Sequence, residues 1–312
     1  MVNGREKISA GPRQNQRKRK ELLFYCALMA FPILQFCVFY IGVNVNSFVL
    51  AFTDYEPLTG RTYFAGFDVF QRVFYDLAND SIFLTSLVNS LIAYFATTLL
   101  GMSLALVFSY YIFRKQFASK FFKIMLFLPS IISSIVMITV FKHFVESAIP
   151  DFIYQLTGKR VLGLLTDTNT AFGTILFYNL WIAFGTSILM YVGAMGGINE
   201  SVLEAAKIDG ANALQEFFRV VLPLIYPTIT VFLTVGIAGI FTNQLGLFSF
   251  FGLTADSYLY TFGYYMYKNV QGTSQGTLSY LAALGLLMTL VAAPLTLAVR
   301  ALLLRFGPSS ER

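Results

Sequence analysis

The chain has 312 residues, of which 56% are hydrophobic and 12% charged, and its mean hydropathy is +0.66. An ordinary soluble domain carries about 25% charged residues, so a water-soluble enzyme of this length is excluded for want of a solvated surface. The formal net charge of +6 invites a nucleic-acid reading, but the placement of the charges argues against one.

In chain order, residues 1–21 come first and hold seven Lys/Arg, including Arg17-Lys18-Arg19-Lys20. They read as a basic cytoplasmic N-terminus that anchors topology. Six charge-free runs follow, at 22–53, 81–113, 124–141, 168–199, 220–255 and 269–299, and fill over half of the chain. A hydrocarbon core about 30 Å thick needs about 20 apolar helical residues, so each run is long enough to cross once. None is comfortably long enough to cross twice. The runs lack the alternation of barrel strands, and helices satisfy their own backbone in lipid. The fold class is therefore an all-α membrane protein with six transmembrane helices, its membrane-embedded core at 22–305 and a short cytoplasmic tail at 306–312.

The basic residues orient these spans. With both termini cytoplasmic, sixteen Lys/Arg lie inside and six outside, namely Arg61, Arg72, Lys142, Lys159, Arg160 and Lys268. That asymmetry satisfies the positive-inside rule. The first run exceeds the 7–15 residues of a typical signal h-region, and no small-x-small cleavage site follows it. Cys26 and Cys37 both fall in this run, at a spacing that fits no zinc or redox motif. They read as lipid-facing or packed thiols.

Between the fourth and fifth runs, a segment at about 196–223 carries the signals of two short helices. Ser201 and Glu204 form an S-x-x-E capping box, and Gly210 sits where a left-handed residue ends a helix. Asn212 caps a second helix, with Gln215 three residues on. Leu214, Phe217, Phe218 and Val221 predict one apolar stripe along it. Pro223 is placed to break that helix, and Pro227 suits the first turn of the fifth span. Ala205 and Ala206 are small enough to let another backbone approach closely.

These residues resemble a known family. Glu204-Ala205-Ala206, Gly210 and the later Val220-x-Leu222-Pro223 are similar to the EAA loop of binding-protein-dependent ABC importer permeases, although Ile is usual where Val220 stands. The longer string from Asn199 to Ala211 resembles the carbohydrate-uptake branch. So does the external Phe64-Ala65-Gly66-Phe67-Asp68, followed by Asn89. The resemblance implies a six-helix permease whose cytoplasmic helix-turn-helix, between helices four and five, seats in a separate ATPase subunit. It implies coupling roles for Glu204, Ala205, Ala206, Asp209, Gly210, Leu222 and Pro223. Expected partners are two ATP-binding subunits, a second similar permease and an extracytoplasmic solute-binding protein. The sequence has no G-x-x-x-x-G-K-[ST] phosphate loop. ATP and Mg therefore belong to the partner ATPase, this chain is expected to bind no cofactor, and it is not expected to be an enzyme. The implied setting is a bacterial inner membrane, and the implied cargo a sugar or sugar-derived solute moved by alternating access.

Asn89, Asn179, Asn243 and Gln244 are the candidate pathway residues, because uncharged polar groups suit a neutral, hydroxyl-rich solute. For any one of them interhelical hydrogen bonding, worth about 0.6 kcal/mol on average, is the favoured reading, and Asn243-Gln244, expected mid-span, is the best transport candidate. The family more often has a Phe/Asp stretch and a Gly-Gly-Pro after this point, whereas here Thr242-Asn243-Gln244-Leu245-Gly246 occurs. The aromatic cluster at 258–267 predicts a membrane-interface belt. His143 has no second ligand nearby in sequence and reads as interfacial. An intramembrane enzyme needs acidic, basic or histidine side chains inside the spans for proton or metal chemistry, and the six runs contain no Asp, Glu, Lys, Arg or His. An ion-coupled secondary carrier lacks embedded carboxylates, though carbonyls can hold sodium. An accessory subunit leaves the EAA loop unexplained.

Overall fold

The computed structural model describes residues 12–56, 58–272 and 275–308, so part of the basic N-terminus and the last residues of the tail lie outside the described residues. The described residues are mostly helical. Helix α1 covers residues 12–51 with a π-helical stretch at Phe36–Gly42. Its apolar window is 0% buried, so α1 lies at the rim, and Cys26 and Cys37 on it are exposed. A hairpin of β1 (Thr53–Glu56) and β2 (Arg61–Phe64) follows. Its antiparallel register sets Asp54 opposite Tyr63 and Glu56 opposite Arg61. This short pair is an addition to an otherwise all-α architecture. The strand residues are β-branched, aromatic or charged around a turn at Gly60, a composition that fits a short exposed pair. Helix α2 (Asp68–Asn79) lies beside the hairpin, with Arg72 held to Asp54 at 2.5 Å.

Four helices are long and apolar enough to cross a membrane: the apolar part of α1, α3 (Ser81–Phe113), α6 (Ala171–Gly196) and the last helix. Two further helix pairs pass the same test only if each sharply bent pair counts as one crossing. The third charge-free run belongs to one such pair, α4 (Ser119–Ile131) and α5 (Ser134–Thr157), which meet at 101°. Pro129 removes a ladder hydrogen bond from the last turn of α4, and Ile132 and Ser133 then run extended.

The fifth run departs further from a straight span. The helix preceding α9 (Tyr226–Ala238) continues through Pro223 to Leu224, and the two meet at 68° around Ile225. Pro223 is tolerated because a π-helical turn at Phe217–Val221 widens the helix just before it. Pro227 stands in the first turn of α9, as the sequence predicts. Beyond Ala238 the chain makes consecutive turns to α10 (Leu247–Phe251), with Leu245 in a left-handed conformation at φ 50°. The last helix, α12 (Gln275–Phe306), runs on past Arg300 and Arg305, whose long stems can carry their charges out of an apolar layer.

The aromatic cluster at 258–267 is a correction as well. It forms the start of α11 (Phe262–Gln271) and the turn before it. Tyr260, Phe262 and Tyr264 are 7%, 2% and 0% exposed, so these rings are core and not an interface belt. The Tyr264 hydroxyl donates to the Gly252 carbonyl at 2.8 Å, which satisfies the polar end of a buried ring. Between α4 and α6 the backbones nearly touch. A Cβ built on Gly185 would lie 2.0 Å from the Leu126 carbonyl oxygen. Membrane helices gain little from hydrophobic exclusion between them, so close approach through small residues carries their packing.

Candidate functional site

The segment between α6 and α9 folds as two short helices, α7 (Glu200–Ile208) and α8 (Ala213–Leu224). The start of α7 differs from the expected capping box. Asn199 is the cap, its side-chain oxygen accepting from the Ser201 N–H at 3.1 Å. Asn and Ser are comparable caps, and the one standing earlier takes the position, which leaves Glu204 free on the outer face.

The end of α7 follows the sequence expectation. Gly210 has φ +78°, its N–H donates to the Lys207 carbonyl at 3.1 Å, and the Ala211 N–H donates to Ala206 at 3.0 Å. Those two bonds are the Schellman closure, which satisfies carbonyls that a helix end leaves open. Asn212 and Gln215 then form a reciprocal capping box, with both bonds at 2.9 Å. The turn from one helix to the next is thus closed by its own backbone and two amide side chains.

The expected stripe on α8 is split. Phe217 and Val221 are 5% and 0% exposed, whereas Leu214 and Phe218 are 69% and 59% exposed. The π-helical turn rotates the register, so only one edge of the stripe enters the core. The buried edge packs with Leu106, Ile112, Tyr191 and Met195 of α3 and α6. Glu204, Ala205, Asp209 and Gly210 are exposed, Ala206 is buried, and Leu222 and Pro223 are half-buried.

Three residues that the sequence did not single out fasten this loop to α3. Glu216 is 1% exposed and is paired with Arg114 at the end of α3. The hydrogen bond that Arg114 donates to Glu216 holds its guanidinium above its ordinary pKa. The Tyr110 hydroxyl donates to the Ala213 carbonyl at 2.9 Å, and its ring meets that of Phe217 at 4.9 Å. No local signal marks the pairing of Arg114 with Glu216, because it joins positions 102 residues apart.

The four candidate pathway residues do not converge on one site. The Asn89 amide donates to the Tyr258 and Tyr260 carbonyls at 2.8 and 2.9 Å. The Asn179 amide donates to Ile175 and Leu245, both at 2.9 Å. These two tie helices to turns, the bonding role that the sequence left open for them. Asn243 and Gln244 lie on a turn, not within a helix as expected. Asn243 accepts from the Leu245 N–H at 2.9 Å and borders a cavity of 260 Å³ with Ser90, Tyr94 and Thr98. Gln244 borders a larger cavity of 820 Å³ against α11 and α12, with Gln271 and Thr289. Thr242 lines both cavities. His143 is exposed, and no group of three or more His, Cys, Asp or Glu able to hold a metal occurs among the described residues.

A family described as binding-protein-dependent transport system inner membrane component matches residues 97–310, which include the two-helix loop. The chain belongs to that family. The permease is therefore a membrane-embedded transport component and not itself catalytic. It is 26% identical over 274 residues to the arabinooligosaccharides transport system permease protein AraP of Bacillus subtilis, covering 83% of this chain and 82% of that one. It is 28% identical over 229 residues to AmyD of Thermoanaerobacterium thermosulfurigenes, a probable starch degradation products transport system permease, covering 71% and 74%. Its fold matches a chain in the crystal structure of a bacterial ABC transporter involved in import of the acidic polysaccharide alginate. That match has TM-score 0.75 and 22% identity over 94% of this chain and 99% of that one.

Proposed function

We propose that the permease is one of two membrane subunits of an ATP-driven importer for a sugar or sugar-derived solute. Each bent helix pair counts as one crossing, giving six, with both termini cytoplasmic. The observation that carries the reading is the self-closed two-helix loop, which turns Glu204, Ala205, Asp209 and Gly210 outward beside exposed Leu214 and Phe218. A rigid, half-apolar projection of this kind suits a protein groove. The loop at 196–223 seats in a separate ATPase subunit, where ATP and Mg act, while Ala206, Leu222 and Pro223 hold its inner side. An extracytoplasmic binding protein delivers the solute. The relatives named for arabinooligosaccharides and starch degradation products, and the charge-free runs of this chain, favour a hydroxyl-rich cargo.

Within the membrane, the solute passes the turn at Thr242-Asn243-Gln244, whose residues border two cavities, with Asn179 bracing that turn and Asn89 its neighbour. The test is purification from native membranes, followed by reconstitution. The expected result is a complex with two ATPase subunits, a second permease and saccharide uptake that needs both ATP and the binding protein. Uptake by the lone chain without ATP would overturn the proposal and favour an ion-coupled carrier.

A further inference from the structure

The Phe64–Asp68 segment takes no part in the two-helix loop or in the turn at 242–244, and the structure gives it a setting of its own. Gly66 holds φ +57°, a conformation that favours glycine, and the Asp68 N–H donates to the Ala65 carbonyl at 3.2 Å. This turn carries the chain from β2 into α2 and sets Asp68 at the first position of that helix. Along α2, Val69 and Val73 are 0% exposed. Asp68, Arg72, Tyr75 and Asp76 follow at i, i+4, i+7 and i+8, which places them in one stripe beside that buried edge.

The stripe is one wall of an open recess of 1140 Å³. The recess lies at the opposite end of α3 from the two-helix loop, since α3 runs from Ser81 beside α2 to Arg114 beside Glu216. Five tyrosines line it: Tyr55 and Tyr63 from the hairpin, Tyr75 from α2, Tyr265 from α11 and Tyr280 from α12. Tyr63 stands opposite Asp54 in the hairpin register. The Tyr265 ring is held in place by an edge contact with Phe83 at 5.8 Å and by stacking on Phe262 at 6.5 Å. A membrane-interface belt accounts for single tyrosines at span ends. It does not account for rings from four separate elements gathered on one recess with three aspartates, because carboxylates gain nothing from anionic headgroups.

The charges narrow the ligand. Arg72 is matched by Asp54 at 2.5 Å, and Asp76 accepts from the Tyr280 hydroxyl. Asp68 has no hydrogen-bond or ion-pair partner for its side chain among the described residues, and the N-terminal end of α2 favours its ionised form. Two carboxylates without a counter-cation disfavour an anion, and Arg72 in the same wall disfavours a simple cation. The remaining fit is a neutral ligand with apolar C–H faces for the rings and many hydroxyls for the carboxylates, whose bonds to O–H donors are charge-assisted. That combination is a saccharide. The recess slightly exceeds the range of about 300–1,000 Å³ typical of small-ligand sites, so it has room for more than one sugar ring. We propose that it is a second saccharide site, apart from the turn at 242–244, holding an oligosaccharide with its rings against Tyr63 and Tyr75 and its hydroxyls on Asp68 and the Asp54–Arg72 pair. Its outer placement and its service to uptake rest on the importer reading; the binding itself does not.

The experiment is saturation-transfer NMR on the purified assembly without its binding protein, in lipid nanodiscs free of maltoside detergent, titrated with maltotriose or arabinotriose. The expected result is saturable binding of at least one of the two, weakened about tenfold in the Tyr63→Ala/Tyr75→Ala variant and less in Asp68→Asn. Tyr63 and Tyr75 are 51% and 69% exposed, so folding should survive, and an unchanged unfolding midpoint checks it. Gln244→Ala at the membrane turn and Tyr154→Ala, an exposed tyrosine outside the recess, should bind as the parent does. Equal affinity in the Tyr63/Tyr75 variant and its parent, or loss of binding in Gln244→Ala, overturns the site. No binding of either trisaccharide, or displacement of the trisaccharide by choline, overturns the ligand class. ATP-driven uptake by the reconstituted assembly is measured separately. Recess binding without uptake overturns the importer reading and keeps the site, whereas uptake with binding unchanged in the Tyr63/Tyr75 variant overturns the site and keeps that reading.

Discussion

Arg114 and Glu216 form an ion pair between the last turn of one long helix and the second helix of the outward-facing loop, and the Glu216 side chain is 2% exposed. Removing Arg114 leaves the buried Glu216 carboxylate without its counter-ion, which costs about 3–5 kcal/mol, whereas removing Glu216 leaves a partly exposed guanidinium and costs less. Arg114→Gln is expected to lower the unfolding midpoint sharply, and Glu216→Gln to lower it less. The double variant should lose less than the two singles summed. Thermal unfolding of all four proteins closes the cycle, and simple additivity would refute the pairing.

Gly210 carries φ +78° with open space around its missing Cβ, so conformation, and not crowding, restricts this position. Gly210→Val should strain the turn by about 1–2 kcal/mol, whereas Gly210→Asn should be nearly neutral, because Asn tolerates the left-handed region. The valine variant is expected to assemble with its partners and lose substrate-stimulated ATP hydrolysis. Normal stimulation in that variant would show that the turn does not need this geometry.

Asn212→Ala removes one half of a reciprocal cap, a change worth about 1 kcal/mol. Amide exchange at 213–216 should accelerate while exchange in the long helices stays constant. A uniform acceleration throughout the chain would mean that the cap supports the whole fold and not only the turn.

Asn89 and Gln244 are expected to separate by readout. Asn89→Ala strands two carbonyls and should destabilise by about 1–2 kcal/mol. Gln244 makes no side-chain hydrogen bond among the described residues and borders a cavity, so Gln244→Ala should keep the unfolding midpoint and change the KM for uptake. Identical effects from both substitutions would remove the case for a pathway at this turn.

Much of the fold was readable from charge spacing, since a charge-free run of spanning length has few alternatives in lipid. The residue types at Gly210, Asn212, Gln215 and Pro227 also fixed their local roles, because each acts through its own backbone or within three positions of it. The failures share a cause. The breaks at Ile132 and after Ala238 fall inside apolar stretches, where composition does not distinguish a helix from a turn. The burial of Tyr264, the two bonds of Asn89 and the Arg114–Glu216 pair depend on which segments meet across the bundle. The split of Leu214 and Phe218 from Phe217 and Val221 comes from a π-helical turn that a 3.6-residue repeat does not anticipate.

The back-to-back caps at Asp209–Gly210 and Asn212–Gln215 have a mechanical consequence. Ala211 alone separates the left-handed glycine from the asparagine that begins the next helix, and the bonds on both sides lie between 2.9 and 3.1 Å. The joint therefore contains no slack chain to absorb a displacement. A push on the first short helix reaches the second through closed hydrogen-bonded rings, and from there the elbow at Ile225 and the buried Glu216. In the proposed coupling role, such a segment would transmit a displacement as one rigid piece hinged at the elbow, rather than through the length of a linker.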